Sequence, residues 1–339
     1  MTASVWSRWR RPQAAAPAGA RRVAYLAPDN DTPVGGVKVI YRHVQVLRSL
    51  GCDAYVMHFK RGFRCTWFEN DAPVLHYRQL RDDDFVVVPE VMPHRARELH
   101  ARCIGYAMLV QNGYLLNATE DMPVVAAAYR HARTVLSISD DTSEMLRLVV
   151  PDAAARIRRI VCAVDPVLFR PQRDKPMVVT YMPRKMPQHA RLITQHLAAQ
   201  FPAWRFTALD NLREAEVAAA LRASRIFLAF SEYEGLSLPP IEAAMAGNLV
   251  LGYHGWGGRS YWSEPNFQSV DFGDVRGFFA RFPEVQHMAC ENGIEDLLAP
   301  GIARLAATFS FESEAEHLRR FATESALLPA AAKGTIIAS

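Results

Sequence analysis

From about residue 22 onward, short apolar runs alternate with stretches whose apolar residues recur every three or four positions, the pattern of buried parallel strands alternating with helices. The first run, 22–27, is followed by a polar loop and by Gly35-Gly36. Beyond them Val37, Ile40, Tyr41, Val44 and Leu47 share one helical face, and Lys38, Arg42, Gln45 and Arg48 the other. Gly51 closes that helix. Further strands are predicted at 54–57, 85–88, 106–110 and 134–138, one sheet of about five strands. Residues 165–175, with Pro166, Pro171 and much charge, read as a linker. Strands at 177–181, 204–208, 226–230 and 249–251 repeat the alternation, and an amphipathic stretch at 312–327 predicts a last helix. The fold class that follows is α/β, two Rossmann-like domains with a ligand cleft between their strand ends. They are expected at 21–165 and 166–310, preceded by a tail at 1–20 and followed by a C-terminal helix and tail at 311–339.

At 339 residues the chain is long enough for two domains, each with its own core, and 50% of it is hydrophobic. No apolar run approaches the roughly eighteen residues of a membrane span. The N-terminus, with Trp6, Trp9 and three nearby arginines, is basic but lacks the apolar stretch of a secretory signal, and reads as a disordered tail. A second reading of that tail is peripheral contact with an anionic membrane surface. A net charge of +4 is too diffuse to call for nucleic acid. Cys52, Cys65, Cys103, Cys162 and Cys290 are scattered, odd in number and without C-x-x-C spacing, which favours a reducing, cytoplasmic compartment over a disulfide framework.

The most informative stretch is 231–247. Gly235 turns the chain sharply after a buried strand, Ser237 is placed to cap a helix, Pro239 and Pro240 fall in its first turn, and Gly247 stands just past its end. Such a start presents free amides and the positive end of a helix dipole, which suits phosphate. Glu234 is expected in the loop and Glu242 within the first two helical turns. Carboxylates accept hydrogen bonds from hydroxyls and repel phosphate, so the pair suits a ligand carrying both a diphosphate and a sugar. Taken singly, each feature also has a plainer reading: two glutamates near a helix start are commonly solvated cap residues, Gly35-Gly36 an ordinary strand-to-helix turn, and Arg184-Lys185 a surface pair.

Together these residues resemble a known family. The run from Glu234 to Glu242 resembles the E-x7-E signature of the retaining GT-B glycosyltransferases, family 4 in particular. In the same order the chain carries Gly35-Gly36-Val37 opening the first helix, Ser137-Ile138-Ser139-Asp140 after a strand, Val164-Asp165-Pro166 with Phe169-Arg170-Pro171 at the linker, and Gly257-Gly258. The match covers roughly residues 22 to 260. The resemblance implies a first domain on the acceptor side and a second on the nucleotide-sugar side. Glu242 would hold the ribose, Glu234 would lie at the donor sugar, and amides at Gly235, Leu236, Ser237 and Leu238 would contact sugar and diphosphate. Gly35 and Gly36 would let the backbone approach the phosphates. Arg184 and Lys185 would offset the charge of the leaving nucleoside diphosphate, Arg184 being the safer assignment because the two cations are adjacent where the family spaces them. Where many members carry a histidine near the transferred sugar, this chain has Gln111-Asn112, with Tyr114 nearby on the acceptor side. Arg259 to Glu264 also departs from the plainer Gly-Gly-x-x-Glu turn that the family leads one to expect.

The implied activity is transfer of a sugar from a nucleoside-diphosphate sugar to a glycan, lipid-linked or small-molecule acceptor, in polysaccharide biosynthesis for example. Preorganised amides and a guanidinium would take the place of a metal, and no cofactor is called for, the nucleotide sugar being a substrate. Acceptor loops are expected near 58–75, 90–95 and 111–120, where Phe63, Trp67, Phe68 and Tyr114 could stack on sugar rings or be local core. Four alternatives stay open. The chain could be a transferase-like subunit that binds nucleotide without turnover. Asp29-Asn30-Asp31 or Asp82-Asp83-Asp84 could be the metal-binding D-x-D of a GT-A transferase. Ser237, with Asp271 or Asp274 and His287, could form an α/β-hydrolase triad. His94, His100 and Cys103 could hold a metal. A Rossmann dehydrogenase is disfavoured because no G-x-G-x-x-G follows the first strand.

Overall fold

The computed structural model describes residues 21–328. The tail at 1–20, with its membrane reading, and the tail from 329 lie outside the described residues. The described residues form two compact units, one made of 21–162 with 312–328, the other of Ala163–Phe311.

In the first unit the order is β1 (Val23–Leu26), α1 (Gly35–Ser49), β2 (Ala54–His58), β3 (Val74–His76), β4 (Phe85–Pro89), α2 (Pro93–Ala101), β5 (Gly105–Val110), α3 (Met122–His131), β6 (Thr134–Ser137), α4 (Asp140–Val149) and β7 (Ile157–Arg159). These strands make a seven-stranded sheet in the order β3-β2-β1-β4-β5-β6-β7, paired in parallel throughout. The apolar runs predict about five strands; the two extra ones, β3 and β7, are three-residue edge strands with no fully buried residue, too short and too wet to leave an apolar run. Central strands β1, β4 and β5 are buried at every position, because helices cover a parallel sheet on both faces.

The second unit continues with β8 (Val178–Tyr181), α5 (Pro187–Gln200), β9 (Arg205–Ala208), α6 (Glu214–Arg222), β10 (Ile226–Glu234), α7 (Leu238–Met245), β11 (Leu249–Trp256), β12 (Phe267–Ser269), α8 (Val275–Met288) and α9 (Ile294–Thr308). Its parallel sheet has five strands in the order β12-β11-β10-β8-β9, with β12 unforeseen in the apolar pattern. One core forms from strand residues Val179, Leu228, Phe230, Leu251 and Tyr253 and from helix residues Ile193, Leu197, Phe278 and Phe282.

The stretch 165–175, read as a linker, forms no helix or strand and is anchored near both ends: Asp165 accepts the Val167 and Leu168 amides at 2.8 and 3.3 Å, Phe169 is buried, and the Lys175 side chain donates to the carbonyls of Ala246 and Gly247 at 2.6 and 2.9 Å. The last helix, α10 (Phe311–Glu324), packs with the first unit. There Glu314 forms a buried ion pair with Arg42 of α1, and Phe321 meets Phe85 edge-on at 6.0 Å. No helix among the described residues is long and apolar enough to cross a membrane.

Each sheet reverses its strand order once, between β1 and β4 and between β10 and β8. At such a reversal the loops leaving adjacent strands diverge to opposite faces and open a crevice at the carboxyl ends, which is where ligands of parallel α/β sheets sit.

Candidate functional site

The reversal in the second unit brings together the loop after β8 and the turn after β10. Glu234 is the last residue of β10 and not a loop residue as the apolar run predicts, because pairing with β11 resumes at Glu234 opposite Trp256 after an irregularity beyond Ser231. The carboxylate, 15% exposed, is paired with the ammonium of Lys185 from the β8 loop. Arg184, the safer assignment for the diphosphate charge, is exposed on the same loop. Gly235 and Leu236 are buried in the turn, and α7 starts at Leu238 with Pro239 and Pro240 in its first turn. Ser237 does precede the helix, but its hydroxyl makes no cap. It adopts the left-handed conformation (φ 58°, ψ 78°), which turns the side chain toward the Ser231 hydroxyl at 2.7 Å. Glu242 follows on α7, half-buried, and Gly247 (φ 80°) closes the helix beyond Ala246.

The reversal in the first unit gathers Gly35 and Gly36, expected at the phosphates, with the expected acceptor-side residues Gln111, Asn112 and Tyr114. Gly35 opens α1, and the Gln111 side-chain amide donates to the Gly36 carbonyl at 3.0 Å. A Cβ on Gly36 would stand only 3.3 Å from that amide, so the close approach made here is to Gln111. Glu90, directly after β4, accepts the backbone N–H groups of Gln111 and Asn112 on one oxygen at 3.1 and 3.0 Å. Burial pushes its carboxyl up to about 7, against the pull of those amides. Asn112 accepts the Tyr114 amide at 3.0 Å, and the Tyr114 hydroxyl donates to Asp141 at 3.1 Å. The sequence reading missed Glu90; its one signal is an acid set immediately after a fully apolar strand.

The alternatives fare differently. Asp29 bonds His58 and the Phe59 amide, and Asp31 bonds Thr66, so this D-x-D ties the 59–66 loop to the β1 loop. Asp84 is buried against Arg22, and Asp82 pairs with Arg102. Asp274 caps α8 through the Gly277 amide and His287 lies beside Glu291, so neither belongs to a triad with Ser237. His94 pairs with Glu120 and His100 stacks on His131 at 3.8 Å. Among the described residues no group of three or more His, Cys, Asp or Glu stands ready for a metal ion. Of the loop aromatics, Phe68 is core against Tyr41 at 5.4 Å, Trp67 leans on Phe68, and half-buried Phe63 packs on His58 at 4.6 Å.

No family model and no curated protein matches this chain. Solved structures do. The chain is similar to a sucrose-phosphate synthase from Thermosynechococcus elongatus, with TM-score 0.73 and 14% identity over 90% of this chain and 99% of that one. It is similar to the Anabaena protein HepE in complex with UDP-glucose, with TM-score 0.63 and 12% identity over 89% and 99% of the two chains. The catalytic domain of starch synthase IV from Arabidopsis thaliana, bound to ADP and acarbose, gives TM-score 0.66 and 12% identity over 91% and 100%. The chain thus has the fold of the GT-B glycosyltransferases, two Rossmann-like α/β units each built on a parallel sheet.

Proposed function

We propose that the protein is a retaining glycosyltransferase that moves a sugar from a nucleoside-diphosphate sugar to a glycan, lipid-linked or small-molecule acceptor without a metal ion. The observation that carries this reading is the strand reversal of the second unit, where the Lys185–Glu234 pair adjoins the Gly235–Ser237 turn and the start of α7. Departure of a nucleoside diphosphate builds negative charge on its oxygens, and fixed amides, a helix dipole and the cations Arg184 and Lys185 favour that charge without reorganising. Lys185 also neutralises Glu234, which removes the repulsion a bare carboxylate would exert on the diphosphate and leaves oxygen lone pairs for sugar hydroxyls. Glu242 takes the ribose hydroxyls. Gly35 and Gly36 admit the phosphates, and Gln111, Asn112 and Tyr114 serve the acceptor side. The ligands named for structures of this fold, UDP-glucose and ADP among them, support a nucleoside diphosphate as the leaving group. Five free cysteines support work in a reducing, cytoplasmic setting.

A thermal-shift panel of UDP, ADP and GDP with their sugars tests the reading, since ligand at about 100 times Kd adds roughly 2.7 kcal/mol. Glu242→Ala is expected to abolish the nucleotide shift. Glu234→Ala is expected to keep nucleoside diphosphate binding and to lower transfer on the order of 100-fold. No shift with any nucleotide, or two active variants, would reduce the motif to a helix cap. A second reading, nucleotide binding without turnover, draws on Gln111, which stands where the resemblance leads to histidine and is engaged with Gly36. Binding of a nucleoside diphosphate with no release from any nucleotide sugar would favour it.

A further inference from the structure

Downstream of β11 the chain returns to the Gly235–Ser237 turn and grips it at two points. Gly257 lies backbone to backbone with Gly235, so close that a Cβ added at Gly257 would fall 2.2 Å from the Gly235 oxygen. Four residues on, the Tyr261 hydroxyl donates to the carbonyls of Leu236 at 3.1 Å and Ser237 at 2.8 Å, its single hydrogen shared between them. The ring is wedged among Phe267 at 5.5 Å, Phe309 at 5.8 Å and Trp262 at 6.2 Å, so the hydroxyl cannot drift with the turn. Burial, and then the Glu234 charge, raise the hydroxyl well above its ordinary range, and it stays a donor at every working pH.

The turn needs such a hold. Ser237 is a residue with a Cβ in the left-handed region, a costly conformation that persists only where the surroundings over-determine it. Its two tethers are the Tyr261 hydroxyl on its carbonyl and the Ser231 hydroxyl on its own. Where the resemblance leads one to expect Gly-Gly-x-x-Glu, the fifth position here is Tyr261.

We propose that Tyr261 is a positioning residue: its hydroxyl clamps the Leu236 and Ser237 carbonyls and so aims the amides of the Gly235–Leu238 segment at the diphosphate. That last step rests on the donor-site reading above.

Y261F removes the hydroxyl and keeps the ring, so the packing survives and a cooperative melt verifies the fold. Two measurements on the full chain decide the matter. Amide hydrogen exchange without ligand is expected to quicken at least fivefold across 235–238 while β8 and β10 keep their protection. The dissociation constant for UDP or ADP, whichever binds the unaltered protein, is expected to rise at least fivefold. Y253F, which removes another tyrosine hydroxyl from the same unit, is expected to leave both unchanged. Unaltered exchange in Y261F overturns the clamp, as does an equal effect in Y253F; quickened exchange with unaltered affinity overturns the aiming of the amides. Quickened exchange in a protein that binds neither nucleotide supports the clamp and counts against the donor reading instead.

Discussion

Glu90 is a carboxylate in a place where charge is costly, 5% exposed just after β4, with its own backbone N–H and the amides of Gln111 and Asn112 to favour its ionised form. Desolvation wins, and the group is raised from 4.5 to about 7. A raised carboxyl binds its proton more tightly in the folded chain than in the unfolded one. Its contribution to stability is therefore complete below about pH 4.5 and is lost as pH climbs through 7. Glu90→Gln keeps an oxygen for the two amides but cannot titrate. Between pH 4.5 and 7.5 the wild-type urea midpoint should fall relative to that of E90Q, the difference approaching about 3 kcal/mol of unfolding free energy. Parallel curves would mean that Glu90 does not titrate in this window. Lys185 offers a second lesson at this scale. Nothing local to Lys185 names Glu234 as its partner, and the direction of the β8 loop brings the two together.

Helix α7 is fixed by what stands at its two ends. Prolines at its first turn have no N–H to leave unsatisfied, and a glycine beyond its last turn can take the positive φ that ends a helix at no steric cost. The Lys175 side-chain nitrogen, which burial pushes down to about 7, then donates to the carbonyls of Ala246 and Gly247 at the negative end of the dipole. Gly247→Ala sets a Cβ at φ 80°, 3.2 Å from Pro171 and 3.3 Å from that nitrogen. A loss of about 1–2 kcal/mol in unfolding free energy is expected, read from the urea midpoint, with nucleotide affinity kept because the altered end is the far end of the helix from Ser237. An unchanged midpoint would show that the positive φ is not needed. The ends of this helix were legible because proline and glycine act on their own backbone. The end of β10 was not, since its last residues are held by pairing with β11 and not by an apolar run of their own.

Over the whole molecule, α10 is the element whose place no local pattern reveals. Its amphipathic period shows that one face is to be buried; that it packs with the first unit depends on the Arg42–Glu314 pair and on Phe321 against Phe85. Glu314→Ala takes the carboxylate away from a buried guanidinium, and a loss of about 3–5 kcal/mol is expected in thermal or urea unfolding. The double variant R42M/E314L, which removes both charges, should recover much of it; equal damage in both would show that the pair is not what holds the helix. By itself the sequence determined the alternation of strands and helices, the α/β class, the turn at Gly235 and the helix that carries Glu242, because each follows from periodicity or from glycine and proline within a few residues. Only the tertiary structure decided that Lys185 meets Glu234, that Ser237 is left-handed under Tyr261, that Glu90 binds the 111–112 backbone, and where α10 docks. Those contacts join residues as far as 49 and 272 positions apart, and no local preference encodes which distant partner a side chain will meet.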